Sequence, residues 1–191
     1  SNLLRLVGSK LQLRVSSEKR MVPLTDATLP DYPIAFMHGR RNFQFSPAER
    51  SAIANFVDNG GFIFADAICA SGPFADSFRQ EMKIIFPDQS LQPIAPDHPL
   101  LTTDYQGFDL SKVQLRDPGR RSTGDQALRS RVEEVSPVLE GIEVDGRLAV
   151  IFSPFDLSCA LENQGSIECK GYLQQDAAKI GINVILYAMQ N

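Results

Sequence analysis

The residues with which this chain could do chemistry are few: three cysteines, two histidines and the acids that close its apolar runs. His38 ends the run Tyr32-Pro33-Ile34-Ala35-Phe36-Met37, and Asp66 ends Phe62-Ile63-Phe64-Ala65. Asp156 follows Leu148-Ala149-Val150-Ile151-Phe152 by way of Ser153-Pro154-Phe155. Cys69 and Cys159 each lie three residues beyond one of these acids. A thiol beside an imidazole is the pairing that generates a nucleophilic thiolate. One chemistry on offer is therefore hydrolysis, with Cys69 as nucleophile, His38 as base and Asp66 as a third candidate. The other is recognition, in which His38, Gly39, Arg40, Asp66 and Asp156 form a polar rim around a small polar ligand or a partner segment.

Each residue also has a plainer use. Asp66 and Asp156 suit capping of the turn or helix that follows them. Cys69 suits a half-buried loop thiol, and His38 and His98 suit hydrogen-bonded structural roles, the latter in the turn Asp97-His98-Pro99. Cys159 and Cys169 bracket a polar stretch and suit a local disulfide; a Cys69–Cys159 link between two loops fits as well, as do reduced thiols. A zinc site from Cys69, Cys159, Cys169 and His38 has acceptable ligand types but no Cys-x-x-Cys spacing, so neither metal nor cofactor is expected.

To bring these residues together the chain needs parallel strands. Asp31–Gly39 reads as a buried strand opening into a loop. Ser46, Pro47 and Glu49 then write the start of a helix as N-cap, first-turn proline and capping box, with Ala48, Ala52, Ile53, Phe56 and Val57 on one face. Gly60-Gly61 ends it, and the strand Phe62–Ala65 follows directly, completing a right-handed βαβ unit. A second helix is predicted from Phe74 to about Ile85, closed by Pro87, and a third strand at Leu91–Ile94. Periodicity lapses over residues 102–136, a basic insertion with Lys112, Arg116, Arg120, Arg121, Arg129 and Arg131 and turn signals at Asp117-Pro118-Gly119 and Thr123-Gly124-Asp125. It reads first as a solvated loop and second as an anion-binding flap. Asp145-Gly146 between apolar runs predicts a tight hairpin. The closing helix, about Leu173 to Met189, is apolar around most of its circumference, with Gly181 marking close approach to a strand. Ligands of open parallel sheets bind beyond the carboxyl ends of the strands, where His38, Asp66 and Asp156 would lie.

Composition bounds the rest. The 191 residues carry 43% hydrophobic and 22% charged side chains, enough for one α/β domain over residues 3–191 with its own core. A net charge of −4 disfavours nucleic acid as a partner. No stretch is long and apolar enough to enter a membrane, and Ser1-Asn2 reads as an expression scar. An odd cysteine count is compatible with a reducing compartment or with one disulfide plus a free thiol.

Met37-His38-Gly39-Arg40, Gly60-Gly61-Phe62-Ile63-Phe64-Ala65-Asp66-Ala67, Phe78-Arg79-Gln80-Glu81-Met82, Asp97-His98-Pro99-Leu100 and Ser153-Pro154-Phe155-Asp156-Leu157-Ser158-Cys159 stand in an order that resembles the bacterial DUF4159 family from about Leu11 to Met189. The resemblance implies a branch of the class I glutamine amidotransferase-like fold, a flavodoxin-like three-layer α/β sandwich with a mostly parallel sheet and an antiparallel hairpin near the C-terminus. It also implies an extracytoplasmic setting within a longer, exported or membrane-anchored parent whose other domains are partners; a cytoplasmic one is the alternative. Amidotransferases carry Gly-x-Cys-x-Gly at the nucleophile and His-x-Glu after a later strand. Here the first reads Ala67-Ile68-Cys69-Ala70-Ser71 and the second has no histidine. The resemblance therefore implies a scaffold without the Cys-His-Glu triad, used for binding rather than catalysis.

Overall fold

The computed structural model describes residues 2–11, 20–119 and 130–190. Arg120, Arg121, Arg129, the Thr123-Gly124-Asp125 turn and Ser1 lie outside them.

Helix α1 (Asn2–Leu11) precedes strand β1 (Ile34–Gly39), and helix α2 (Pro47–Asp58) and strand β2 (Phe62–Ala67) follow. The capping box is present as predicted: the Ser46 N–H donates to Glu49 Oε2 at 2.8 Å, and the Glu49 N–H donates to Ser46 Oγ at 3.3 Å. Gly60 adopts φ +92°, the left-handed conformation that ends the helix and that glycine reaches without strain. Strands β1 and β2 are parallel, completing the βαβ unit.

Strand β2 runs two residues further than predicted, and a 3-10 turn (Ile68–Ala70) leads into helix α3 (Gly72–Ile85). The third strand shrinks to β3 (Gln92–Pro93). The described residues of the basic insertion are not all irregular. They include strands β4 (Val113–Pro118) and β5 (Ser130–Val135), paired antiparallel. The hairpin of β6 (Glu140–Val144) and β7 (Arg147–Ser153) turns on Asp145 and Gly146, at φ +52° and +80°, the double positive that Asp-Gly tolerates best. A short helix α4 (Ser158–Leu161), strand β8 (Gly171–Tyr172) and helix α5 (Gln174–Gln190) close the chain.

Two sheets result. The larger runs β1-β2-β7-β6-β3, with β1, β2 and β7 parallel and the last two pairings antiparallel. The smaller, β5-β4-β8, is antiparallel. Alternation along β2 divides the core. Ile63, Ala65 and Ala67 pack with Ile53, Phe56 and Val57 of α2 and Phe74, Phe78 and Met82 of α3. Phe62 and Phe64 pack with Ile180, Val184 and Tyr187 of α5. Between α2 and α3, Glu81, 2% exposed, is held bidentate by Arg50 at 2.8 and 3.0 Å, the pairing a buried carboxylate requires.

Two expectations fail for geometric reasons. β1 lies at the edge of the sheet, so Phe36 and His38 on one of its faces stay exposed where a buried strand was predicted. Gly181 admits not a strand but α1: a Cβ there would stand 2.8 Å from Leu3 Cδ1. Asn183, which interrupts the apolar run of α5, has a use that the pattern hides. Its amide donates to the carbonyls of Leu100 (2.9 Å) and Phe108 (2.8 Å) and accepts from the Phe108 N–H (2.7 Å), satisfying a buried loop.

Candidate functional site

The parallel register sets His38 beside Asp66, and Asp66 beside Ser153, so the ends of β1, β2 and β7 form one rim. Asp156 lies three residues past Ser153 and is bridged to Gly171, the first residue of β8. His38, Asp66 and Asp156 are thus on the same side of the sheet, but they do not share an environment.

Asp66 is fully buried. Its Oδ2 accepts from the Leu157 N–H (3.1 Å), the Ser158 N–H (3.2 Å) and the Ser158 hydroxyl (3.0 Å), which caps the start of α4. Its Oδ1 is buried without a hydrogen-bond partner. Burial, reinforced by the charge of Asp156, pushes this carboxyl up to about 7 against the pull of the backbone donors.

Asp156, 2% exposed, spans two loops: Oδ1 accepts from the Cys159 N–H at 2.8 Å and Oδ2 from the Cys69 N–H at 2.5 Å. That second bond holds a costly turn, since Cys69 and Ala70 both sit at positive φ, +53° and +55°, without a glycine. The turn is further tied down by the Ser71 hydroxyl, which donates to the Arg40 carbonyl at 2.6 Å.

Cys69 and Cys169 form a disulfide, with Cα atoms 4.4 Å apart. Neither anticipated pairing, Cys159–Cys169 or Cys69–Cys159, is the one present. Because β2 and β7 are neighbours, Asp156 after β7 reaches the turn that follows β2 and is also bridged to Gly171, which brings Cys169, two residues before it, to Cys69. Cys159 is the free thiol. Burial first, and Asp156 second, push it up to about 12. A sulfur held in a disulfide has no thiolate to offer, so the hydrolase expectation, with Cys69 as nucleophile and His38 as base, loses its nucleophile here.

The remaining rim residues divide by exposure. His38, Arg40 and Arg41 are exposed, and the His38 ring stacks on Phe36 with centroids 5.4 Å apart. Gly39 is explained by packing, since a Cβ there would collide with the Phe74 ring. His98 serves its own turn: its Nδ1 accepts from the Leu100 N–H at 3.1 Å, and burial holds its imidazolium form down. A depression of about 320 Å³, lined by Pro30, Tyr32, Pro33, Phe56 and Gly60, lies at the opposite ends of β1 and β2, away from all these groups.

Gly171 is the close-packing point of the arrangement. A Cβ there would stand 2.6 Å from the Asp156 Cβ and 2.7 Å from its carbonyl oxygen, and backbone cannot give way as a side-chain tip can. Gly171→Ala is expected to destabilise the fold by about 2–3 kcal/mol. At Gly72 a Cβ meets nothing within 4 Å. Gly72→Ala should stay within about 0.5 kcal/mol of the parent. Equal urea midpoints for the two variants would refute the packing argument.

No curated protein matches this sequence. A family model described as "Domain of unknown function (DUF4159)" matches residues 1–189. That match spans the rim, every strand among the described residues and all of α5 but its last residue, so the chain belongs to the DUF4159 family.

Proposed function

We propose that this domain is a non-catalytic binding or interaction module on a flavodoxin-like, class I amidotransferase-like scaffold. The observation that carries the proposal is the condition of Cys69: its sulfur is bonded to Cys169 and its N–H to Asp156. The position where such a scaffold would carry a nucleophile is used to join loops. The two acids of the rim are likewise turned inward onto backbone donors. Recognition then falls to the exposed exit of β1, where His38, Arg40 and Arg41 offer cationic and aromatic contacts to a small anionic ligand or to an acidic segment of a partner. A disulfide favours an oxidising setting, which suits an extracytoplasmic parent protein.

The test is an ester and amide panel run with and without reductant. No saturable turnover is expected in either state. Saturable turnover in the reduced protein, abolished by Cys69→Ser, would replace this reading with the hydrolase.

A further inference from the structure

Cys69, Cys159, Cys169 and Asp156 each present a ligand atom, and these atoms all lie within 4.8 Å of one another. We propose that, once the disulfide is reduced, these four residues form a tetrahedral site for a divalent zinc ion. The inference is independent of whether the β1 exit binds a partner.

The donor set argues for zinc. Three thiolates and one carboxylate are borderline-soft, and zinc–sulfur bonds of about 2.3 Å set tetrahedral ligands roughly 3.8 Å apart. Cys169 Sγ and Asp156 Oδ2 already stand 3.9 Å apart. The spacing Asp156-Leu157-Ser158-Cys159 is that of a metal knuckle with an acid in the first position, which a search for Cys-x-x-Cys passes over. His38, included in the sequence-based ligand set, is not in the cluster; Asp156 takes its place. The ligands come from three segments that the fold holds together without the bridge: the turn after β2, the start of α4 and the loop before β8. Three thiolates and a carboxylate leave two negative charges on a divalent centre. Arg116 lines the cleft above Asp156, Cys159 and Cys169, and Arg40 is close enough to favour the Cys159 thiolate, so both offset that charge.

The step balances with a dithiol as reductant. The Cys69–Cys169 sulfur–sulfur bond breaks, the dithiol closes to its own disulfide, and its two protons and electron pair leave Cys69 and Cys169 as thiols. Zinc then displaces three thiol protons to solvent, because coordination deprotonates a thiol outright.

The test uses the full chain, reduced and then freed of small thiols without air, and titrated with Zn²⁺ alone and, in parallel, Co²⁺. We expect one zinc per reduced chain, none on the oxidised chain, and a cobalt spectrum with thiolate charge-transfer and tetrahedral d–d bands. Cys159→Ser keeps the disulfide partners but should weaken zinc by about tenfold or more. Zinc should also raise the thermal midpoint of the reduced wild type. Absence of zinc uptake, equal affinity in Cys159→Ser, a six-coordinate cobalt spectrum, or a reduced chain that zinc neither refolds nor stabilises would each overturn the proposal.

Discussion

Asp66→Ala is expected to cost the fold about 3 kcal/mol, from two backbone N–H groups and one hydroxyl left buried without an acceptor at roughly 1–3 kcal/mol each, less the relief of removing a desolvated carboxyl. All three donors come from Leu157 and Ser158, where α4 starts, so the damage should centre on α4 and the loop that carries Cys169. Asp66→Asn keeps the accepting oxygen in place and should retain most of the stability. Urea denaturation at pH 7 checks both. An Asp66→Ala loss below about 1 kcal/mol would show that water replaces the carboxylate, and that the cap is worth no more than an exposed one.

The same pair of variants reads the titration of Asp66. Its carboxyl ionises near 3.8 when exposed and is raised to about 7 in the fold, chiefly by burial. A raised folded-state value means that the native state holds the proton more tightly than the unfolded chain does. The associated stability is complete below pH 3.8 and is lost as pH rises through about 7. The proton belongs on Oδ1, which no donor touches, while Oδ2 goes on accepting. The stability of the wild type minus that of Asp66→Asn should therefore fall between pH 4 and pH 7, by roughly 1.4 kcal/mol for each pH step of one, and level off above. A flat difference over that range would mean that the buried carboxyl titrates as an exposed one.

What was legible in the sequence is what local chemistry specifies. Ser46, Pro47 and Glu49 announce α2 because a capping box is closed within one turn. Asp145-Gly146 announces the β6–β7 hairpin because both residues must accept positive φ. Strand exits were legible to within about two residues, since an apolar run that gives way to polar residues has few other meanings in an α/β chain. The remainder depends on partners distant in sequence. The exposed, charge-rich β5 carries no stripe of its own and is a strand only because β4 lies against it. The orientation of Asp66 and Asp156 could not be read, because the groups that turn them inward are backbone N–H groups, and every residue but proline has one. Asn183 reads as a flaw in an apolar helix until the loop around Phe108 is laid across it.

The cysteine pairing is the extreme case of that dependence, and its removal should have the largest effect. Cys69 and Cys169 are 100 residues apart, and a loop of that length, left open in the unfolded chain, gains entropy worth about 4–5 kcal/mol at 25 °C in the chain-entropy account. The native state loses little in return, since the β2–β7 pairing and the two bonds to Asp156 do not require the bridge. In metal-free buffer, the Cys69→Ser, Cys169→Ser double variant is therefore expected to unfold about 4 kcal/mol more easily than the oxidised parent, while Cys159→Ser stays within about 1 kcal/mol. Peptide mapping without reductant should recover Cys69–Cys169 alone at neutral pH, although Cys159 lies against the bridge. Exchange needs a thiolate, and burial with Asp156 beside it pushes the Cys159 thiol up to about 12. Scrambled pairs at pH 7, or a double variant as stable as its parent, would show that the loops after β2 and β7 are held together by the carboxylates alone.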